Sequence, residues 1–148
     1  MFKGTFFHTL DDKGRIAMPN KLRQQIEKSG ETEILIITQG FEGCLLAYPQ
    51  DQWKMIEEKA SKLSLLDEDA RNFIRFFISP ASECVLDKMG RIILPTNLRE
   101  YGQIQKEVVI SGALDKIEIW SKKNYDDYWR EFKDSKNDVI KQMKDIGL

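Results

Sequence analysis

The sequence predicts an α+β fold in which one small unit is used twice, and three observations carry that reading. The first is an internal repeat: Leu10-Asp11-Asp12-Lys13-Gly14-Arg15-Ile16-Ala17-Met18-Pro19 returns seventy-six positions later as Leu86-Asp87-Lys88-Met89-Gly90-Arg91-Ile92-Ile93-Leu94-Pro95. Counting on through Asn20-Lys21-Leu22-Arg23 and Thr96-Asn97-Leu98-Arg99, Leu, Asp, Gly, Arg, Ile, Pro, Leu and Arg recur at one offset, which marks a duplication. The second is a repeated hairpin: an offset of seventy-two superposes Ile36-Ile37 on Val108-Val109, Gly40 on Gly112, Leu45 on Ile117, Tyr48 on Trp120 and Trp53 on Tyr125. The first copy then has four more residues between helix and hairpin. The third is a pair of amphipathic helical stretches between the copies.

Each element has a local reason. Phe2, Phe6, Phe7 and Leu10 give an aromatic-rich first strand. In D-x-x-G-R the Asp side chain can accept from backbone N–H groups further on, and Gly supplies a positive φ at no steric cost, so Asp11, Gly14, Asp87 and Gly90 shape a tight loop between strands. Ile16-Ala17-Met18 and Ile92-Ile93-Leu94 are too short for anything but a buried strand. Pro19 and Pro95 stop those strands and suit the first turn of a short helix. Each copy continues with an apolar run, a glycine-containing turn (Gly40 to Gly43; Gly112 to Asp115), a second short strand and an aromatic leading into a helix.

After Tyr48-Pro49-Gln50-Asp51, residues Trp53, Ile56, Ala60 and Leu63 mark one helical face from about Asp51 to Leu63. A second helix carries Ala70, Phe73, Ile74, Phe77 and Ile78 on one face before Pro80; Phe73 and Phe77 read as core, while Phe76 falls off that face and points to a subunit contact. Beyond Trp120, Ser121 to Asn124 are candidate caps. Tyr125, Tyr128, Trp129 and Phe132 form an aromatic helical face, and residues 134–138 break it before a weaker continuation through Val139, Ile140, Met143 and Ile146. The domain reading is a first repeat over 1–50, a helical hairpin over 51–79, a second repeat over 80–122 and a helical segment over 123–148.

A net charge of minus one is informative once divided along the chain. Residues 1–25 set Lys3, Lys13, Arg15, Lys21 and Arg23 against Asp11 and Asp12, and residues 84–99 set Lys88, Arg91 and Arg99 against Asp87. Residues 27–83 carry eleven acids against six bases. Positive charge therefore gathers in the repeated motifs, as a nucleic-acid surface requires.

Other chemistries have little to work with. Asp11 and Asp12 are neighbours that point apart, whereas acid–base pairs need convergent carboxylates. The phosphate-loop, nucleophile-elbow, zinc-helix and dinucleotide motifs are absent. With His8 as the single histidine and Cys44 and Cys84 far apart, neither a metal site nor a Cys–His pair has enough partners. The expectation is a protein without catalysis, cofactor, metal or small-molecule substrate. With no signal peptide and no apolar run long enough to span a membrane, the chain reads as a reduced cytoplasmic protein.

Met1-Phe2-Lys3-Gly4, the D-x-K-G-R-x-x-x-P of Asp11 to Pro19, Ala81-Ser82-Glu83-Cys84 and the D-x-x-G-R-x-x-x-P of Asp87 to Pro95 together resemble the MraZ family, over nearly the whole chain. The resemblance implies two SpoVT/AbrB-type repeats. It implies a tandem duplicated swapped-hairpin β-barrel like those of AbrB and MazE, with peripheral helices. It further implies a nucleoid-associated bacterial regulator, mostly repressing, of the division and cell-wall gene cluster that often includes its own gene. Such chains bind short direct repeats in DNA and associate into rings.

The copies depart where Lys13 faces Met89. Shared residues are demanded by the loop's shape, through an Asp–Arg or Asp–backbone contact, so the first loop is expected to be the better DNA-contacting surface. The DNA-binding candidates are Lys3, Lys13, Arg15, Lys21, Arg23 and Arg91, and the oligomer-interface candidates are Trp53, Phe76 and Trp129. The competing reading is a MazE-like antidote whose barrel is a dimerisation platform and whose tail wraps a partner protein. Residues 121–148, with seven bases against six acids and an aromatic face, favour the DNA-binding reading.

Overall fold

The computed structural model describes residues 1–28 and 33–148. The order of elements is the same in both halves. The first half runs β1 (Thr5–Thr9), β2 (Arg15–Ala17), α1 (Asn20–Lys28), β3 (Ile34–Gln39), β4 (Leu45–Pro49), α2 (Gln50–Ala60) and α3 (Glu68–Phe73). The second runs β5 (Ser82–Val85), β6 (Arg91–Ile93), α4 (Thr96–Tyr101), β7 (Glu107–Ala113), β8 (Lys116–Ser121), α5 (Lys122–Glu131) and α6 (Lys136–Asp145).

The halves are interleaved. An antiparallel six-stranded sheet has the order β1-β7-β8-β4-β3-β5, so the first strand of each half pairs with the hairpin of the other. The sheet is open, with β1 and β5 as its edges. Strands β2 and β6 pair with each other as a separate ribbon, Ile16 opposite Ile92. Neither half can therefore close its own core, as a unit of that size would be hard pressed to do.

One face of the sheet is covered by the ribbon and by α1 and α4. Ile16, Leu22, Leu35, Ile37 and Leu45 from one half meet Ile92, Leu98, Val108, Ile110 and Ile117 from the other in one continuous cluster. The opposite face is covered by α2, the turn after α3 and α5, over Ile36, Leu46, Tyr48, Val109 and Trp120. Burying each large aliphatic side chain is worth about 1.5–3 kcal/mol, so the shared core supplies most of what holds the halves together.

The faces correct the sequence alignment of the hairpins. Leu35 and Ile37 share a core with Val108 and Ile110, while Ile36 and Val109 face the other way. The strands β3 and β7 are thus offset by seventy-three, with Ile36 matching Val109 rather than Val108, whereas β4 and β8 keep seventy-two, as the pairs Ile36–Tyr48 and Val109–Trp120 show. The missing residue is in the turn. Gly40 N–H bonds Cys44 O around Phe41-Glu42-Gly43, but Ala113 and Lys116 enclose only Leu114-Asp115. So three, not four, of the extra residues precede the hairpin. Residues 29–32, in the segment that holds the insertion, lie outside the described residues.

Gly112 belongs to β7 rather than to the turn. A Cβ there would collide with the backbone nitrogen of Lys3, because the N-terminal segment crosses it closely while Phe2 and Leu114 exchange hydrogen bonds. The turn itself is made by Leu114, whose φ is 66°.

The helices depart from expectation in smaller ways. The helix α3 ends in a π-helical turn, Ile74–Ile78. Its Phe77 and Phe76 carbonyls accept from Thr38 Oγ1 and Gln39 Nε2, which satisfies the buried threonine hydroxyl. As the sequence indicates, Ser121 caps α5, accepting from Asn124 N–H at 3.0 Å. The break after α5 is a 3-10 turn over Phe132–Ser135, one that ends before Lys136 and leaves α6 helical. No described helix is long and apolar enough to cross a membrane.

Candidate nucleic-acid interface

The two loops are built bond for bond alike. In the first, Asp11 Oδ1 accepts from Lys13 N–H and Arg15 N–H, both at 2.9 Å, while Oδ2 takes Arg15 Nε at 2.6 Å. In the second, Asp87 Oδ1 accepts from Met89 N–H and Arg91 N–H, both at 2.9 Å, and Oδ2 takes Arg91 Nε at 2.9 Å. Gly14 and Gly90 turn the chain with φ of 76° and 75°. The shared Asp, Gly and Arg are thus loop-builders, as their recurrence implies. The hydrogen bond from the Arg15 backbone N–H, with the salt bridge to its side chain, holds the Asp11 carboxyl below its ordinary value, and Arg91 does the same for Asp87.

Each loop leans on the other half. Met18 N–H bonds Gly90 O at 2.8 Å and Leu94 N–H bonds Gly14 O at 3.2 Å. A Cβ on Gly14 would meet Arg99 Nη1 at 2.9 Å, and one on Gly90 would meet Arg23 Nη1 at the same distance. The space is closed by arginine.

Between the loops, the β2–β6 ribbon turns Ile16 and Ile92 inward. Arg15 pairs with Ile93 and Ala17 with Arg91, so both arginines lie on the outward face. Contrary to the buried strand expected, Ile93 is 62% exposed there. Nε of each arginine is spent on its aspartate; the rest of a guanidinium's fork is the part that can recognise an acceptor pair. Lys13 stands exposed on the first loop, and Met89, 71% exposed, takes its place on the second.

The other candidates fall elsewhere. Lys21 is exposed on the first turn of α1. Arg23 seats against Gly90 and donates from Nη2 to Glu33 at 3.0 Å, so its charge is engaged inside the fold. Lys3 lies beside Leu114 at the far end of β1, about 20 Å along the strand from the first loop, and the structure does not bring it to the ribbon.

Of the aromatic candidates, Trp53 is 6% exposed, packed between Tyr48 and Phe77 with its indole N–H on Glu57. It is an internal packing residue. Phe76 at 40% and Trp129 at 47% remain on the surface, Phe76 with its ring edge-on to Tyr101. Phe73, expected in the core, stacks on Phe77 from a half-open position.

Sequence reasoning missed two flanking residues, Lys106 and Glu33. Leu10 N–H bonds Lys106 O at 2.7 Å and Leu86 N–H bonds Glu33 O at 2.8 Å, which puts a lysine beside the first loop and a glutamate beside the second. The signal was present but hidden by the one-residue error in register: at an offset of seventy-three the two positions coincide. Among the described residues no group of His, Cys, Asp and Glu could hold a metal ion.

Comparison with known proteins agrees with the duplication. The family model "MraZ protein", antitoxin-like by its description, matches twice, over residues 1–76 and 77–145. Proteins called "Transcriptional regulator MraZ" align with the full length of both chains: 43% identical in Natranaerobius thermophilus, 42% in Desulfitobacterium hafniense strain Y51, and 43% in Clostridium beijerinckii. With both halves matched by the family and relatives above 40% identity end to end, the chain belongs to the MraZ family.

Proposed function

We propose that this chain is a sequence-specific, double-stranded-DNA-binding transcriptional regulator, a repressor of the division and cell-wall gene cluster that includes its own gene. The observation that carries the reading is the outward face of the β2–β6 ribbon. It presents Arg15 and Arg91 between two loops fixed by Asp–backbone bonds, with Lys13 exposed on the first. Arginine offers a guanine edge two parallel donors, and lysine offers phosphate a point charge, so the face combines base reading with positioning.

The same arrangement supports further steps. Exchange of β1 and β5 between the halves is what a swapped-hairpin barrel built from two covalent units would need, with the ribbon as its DNA-reading end. One ribbon spans only a few base pairs, and a chain of net charge minus one gains little from general attraction. Joining several ribbons on a ring raises the effective concentration of each later contact, which fits direct repeats in the operator. Exposed Phe76 and Trp129 are the available surfaces for head-to-tail closure.

A salt titration of binding to the duplex upstream of its own gene tests this. Affinity should fall steeply with salt, and Lys13→Met should make the log–log slope shallower by about one. No binding even at low salt would remove the reading. A second reading, an antidote-like platform for a protein partner, draws on the exposed apolar residues Val139, Ile140, Met143 and Ile146 of the C-terminal segment. That result would favour it.

A further inference from the structure

We propose that the duplex is held beyond the first loop, on a basic track possessed by that loop alone, where Arg99, Lys106, Lys122 and Lys123 take the phosphate backbone. The inference rests on the DNA-binding reading and extends it from the ribbon to the adjoining groove.

The duplication supplies an internal control. Lys106 is held beside the first loop by the bond from Leu10 N–H, at the place where Glu33 flanks the second. Arg99 lies under Gly14 as Arg23 lies under Gly90. Arg23 donates to the Glu33 carboxylate, whereas Arg99 has a lysine at the matching position. At the start of the helix after each hairpin, Lys122 and Lys123 stand where the first half has Gln50 and Asp51. Three substitutions at matched places add positive charge, against two that add negative charge, Glu100 for Gln24 and Glu107 for Ile34, so the flank becomes basic on balance.

These side chains share a surface. Arg99, Lys106, Lys122 and Lys123 line an open groove of about 1050 Å³ between α4 and the start of α5, together with Glu100 and Glu107. The first turn of α5 has no acidic residue, so the amino end of this ten-residue helix adds its partial positive charge, whereas α2 opens with Asp51. The groove's four cations outnumber its two carboxylates, which leaves a net positive surface for an anion. Arg99 touches both the loop and the groove, which makes the groove a continuation of the DNA-facing side rather than a separate pocket. Lysines on such a track fix register and strength without reading bases. Lys122 is already paired with Asp126, so Lys106 and Lys123 are the side chains to replace.

The test is the double variant Lys106→Gln with Lys123→Gln, titrated with salt against the upstream duplex and a random-sequence duplex of equal length. The log–log slope should become shallower by about two for both duplexes, at about 0.9 for each phosphate left without its lysine. Preference between the duplexes should be unchanged, and Lys106→Arg with Lys123→Arg should restore the slope. Lys59→Gln with Lys62→Gln, on and just after α2, controls for bulk charge. Wild-type slope in the glutamine variant, alongside Arg15-dependent binding, would overturn this inference and leave the DNA reading standing. If the intact protein binds no duplex at low salt, both fall. Binding of ATP or inorganic phosphate that is lost in the glutamine variant while DNA binding is not would assign the groove to free phosphates, and would also overturn it.

Discussion

In the first loop Asp11 gathers two backbone N–H groups and one guanidinium nitrogen, and in the second Asp87 gathers the same set; around them the first loop carries Asp12 and Lys13 and is flanked by Lys106, while the second carries Lys88 and Met89 and is flanked by Glu33. Duplication preserved what shapes the loop and released what surrounds it. A residue common to both copies is explained by the bonds it makes within its own loop, and a residue that differs is free to serve a ligand. Arg15 and Arg91, though common to both copies, serve both purposes. Each spends Nε on structure and shows the rest of its fork on the ribbon face.

If the loops are mechanically equivalent, matched substitutions should cost the same. The largest effect is expected from Ile16→Ala and Ile92→Ala, each fully buried and each the other's cross-strand partner. Urea unfolding should show each variant destabilised by about 2–5 kcal/mol. A cost confined to one of them would break the equivalence. Because the two touch, the double variant should depart from additivity.

Gly14→Ala and Gly90→Ala come next. Both positions have φ near the left-handed region, and both Cβ atoms would press on an arginine 2.9 Å away. Each should lose about 1–3 kcal/mol of stability. Their effects on DNA should diverge, with Gly14→Ala weakening binding more.

The smallest effect is electrostatic. A carboxyl whose value is lowered on folding contributes stability above its unfolded value and loses it only as pH falls through the lower folded value. Asp11 and Asp87 should therefore keep both loops formed through the ordinary aspartate range, near about 3.9, and release them only below it. Carboxyl carbon shifts followed by NMR should place both midpoints below that value. A midpoint at or above it for either would mean that its bonds to the backbone do not form in solution.

Much of this was legible in the sequence because it is local. The D-x-x-G-R loop is specified by residues within a span of five, and its aspartate, glycine and arginine act where the sequence puts them. What was not legible is non-local. Nothing near Phe6 or Cys84 states that β1 joins β7 and β5 joins β3, since that choice is made by a core to which both halves contribute. The hairpin register failed for a nameable reason. Glycine is the usual turn residue, so the sequence points to Gly112 for the turn, whereas Leu114 adopts the positive φ and Gly112 is reserved for the crossing of the N-terminal segment. The same slip concealed Lys106 opposite Glu33. Trp53 looked like subunit surface because periodicity shows which face of a helix is apolar, not whether that face meets its own sheet or another chain; here it meets its own.

Arg15→Ala and Arg91→Ala, compared on the same duplex, test the central claim most directly, because each removes an identical bond to its aspartate and the structural cost cancels in the comparison. Equal unfolding free energies are predicted for the two, with Arg15→Ala weakening binding by about 1–3 kcal/mol and relaxing base preference, and Arg91→Ala weakening it measurably less. Equal losses of affinity, or a larger loss for Arg91→Ala, would contradict the account.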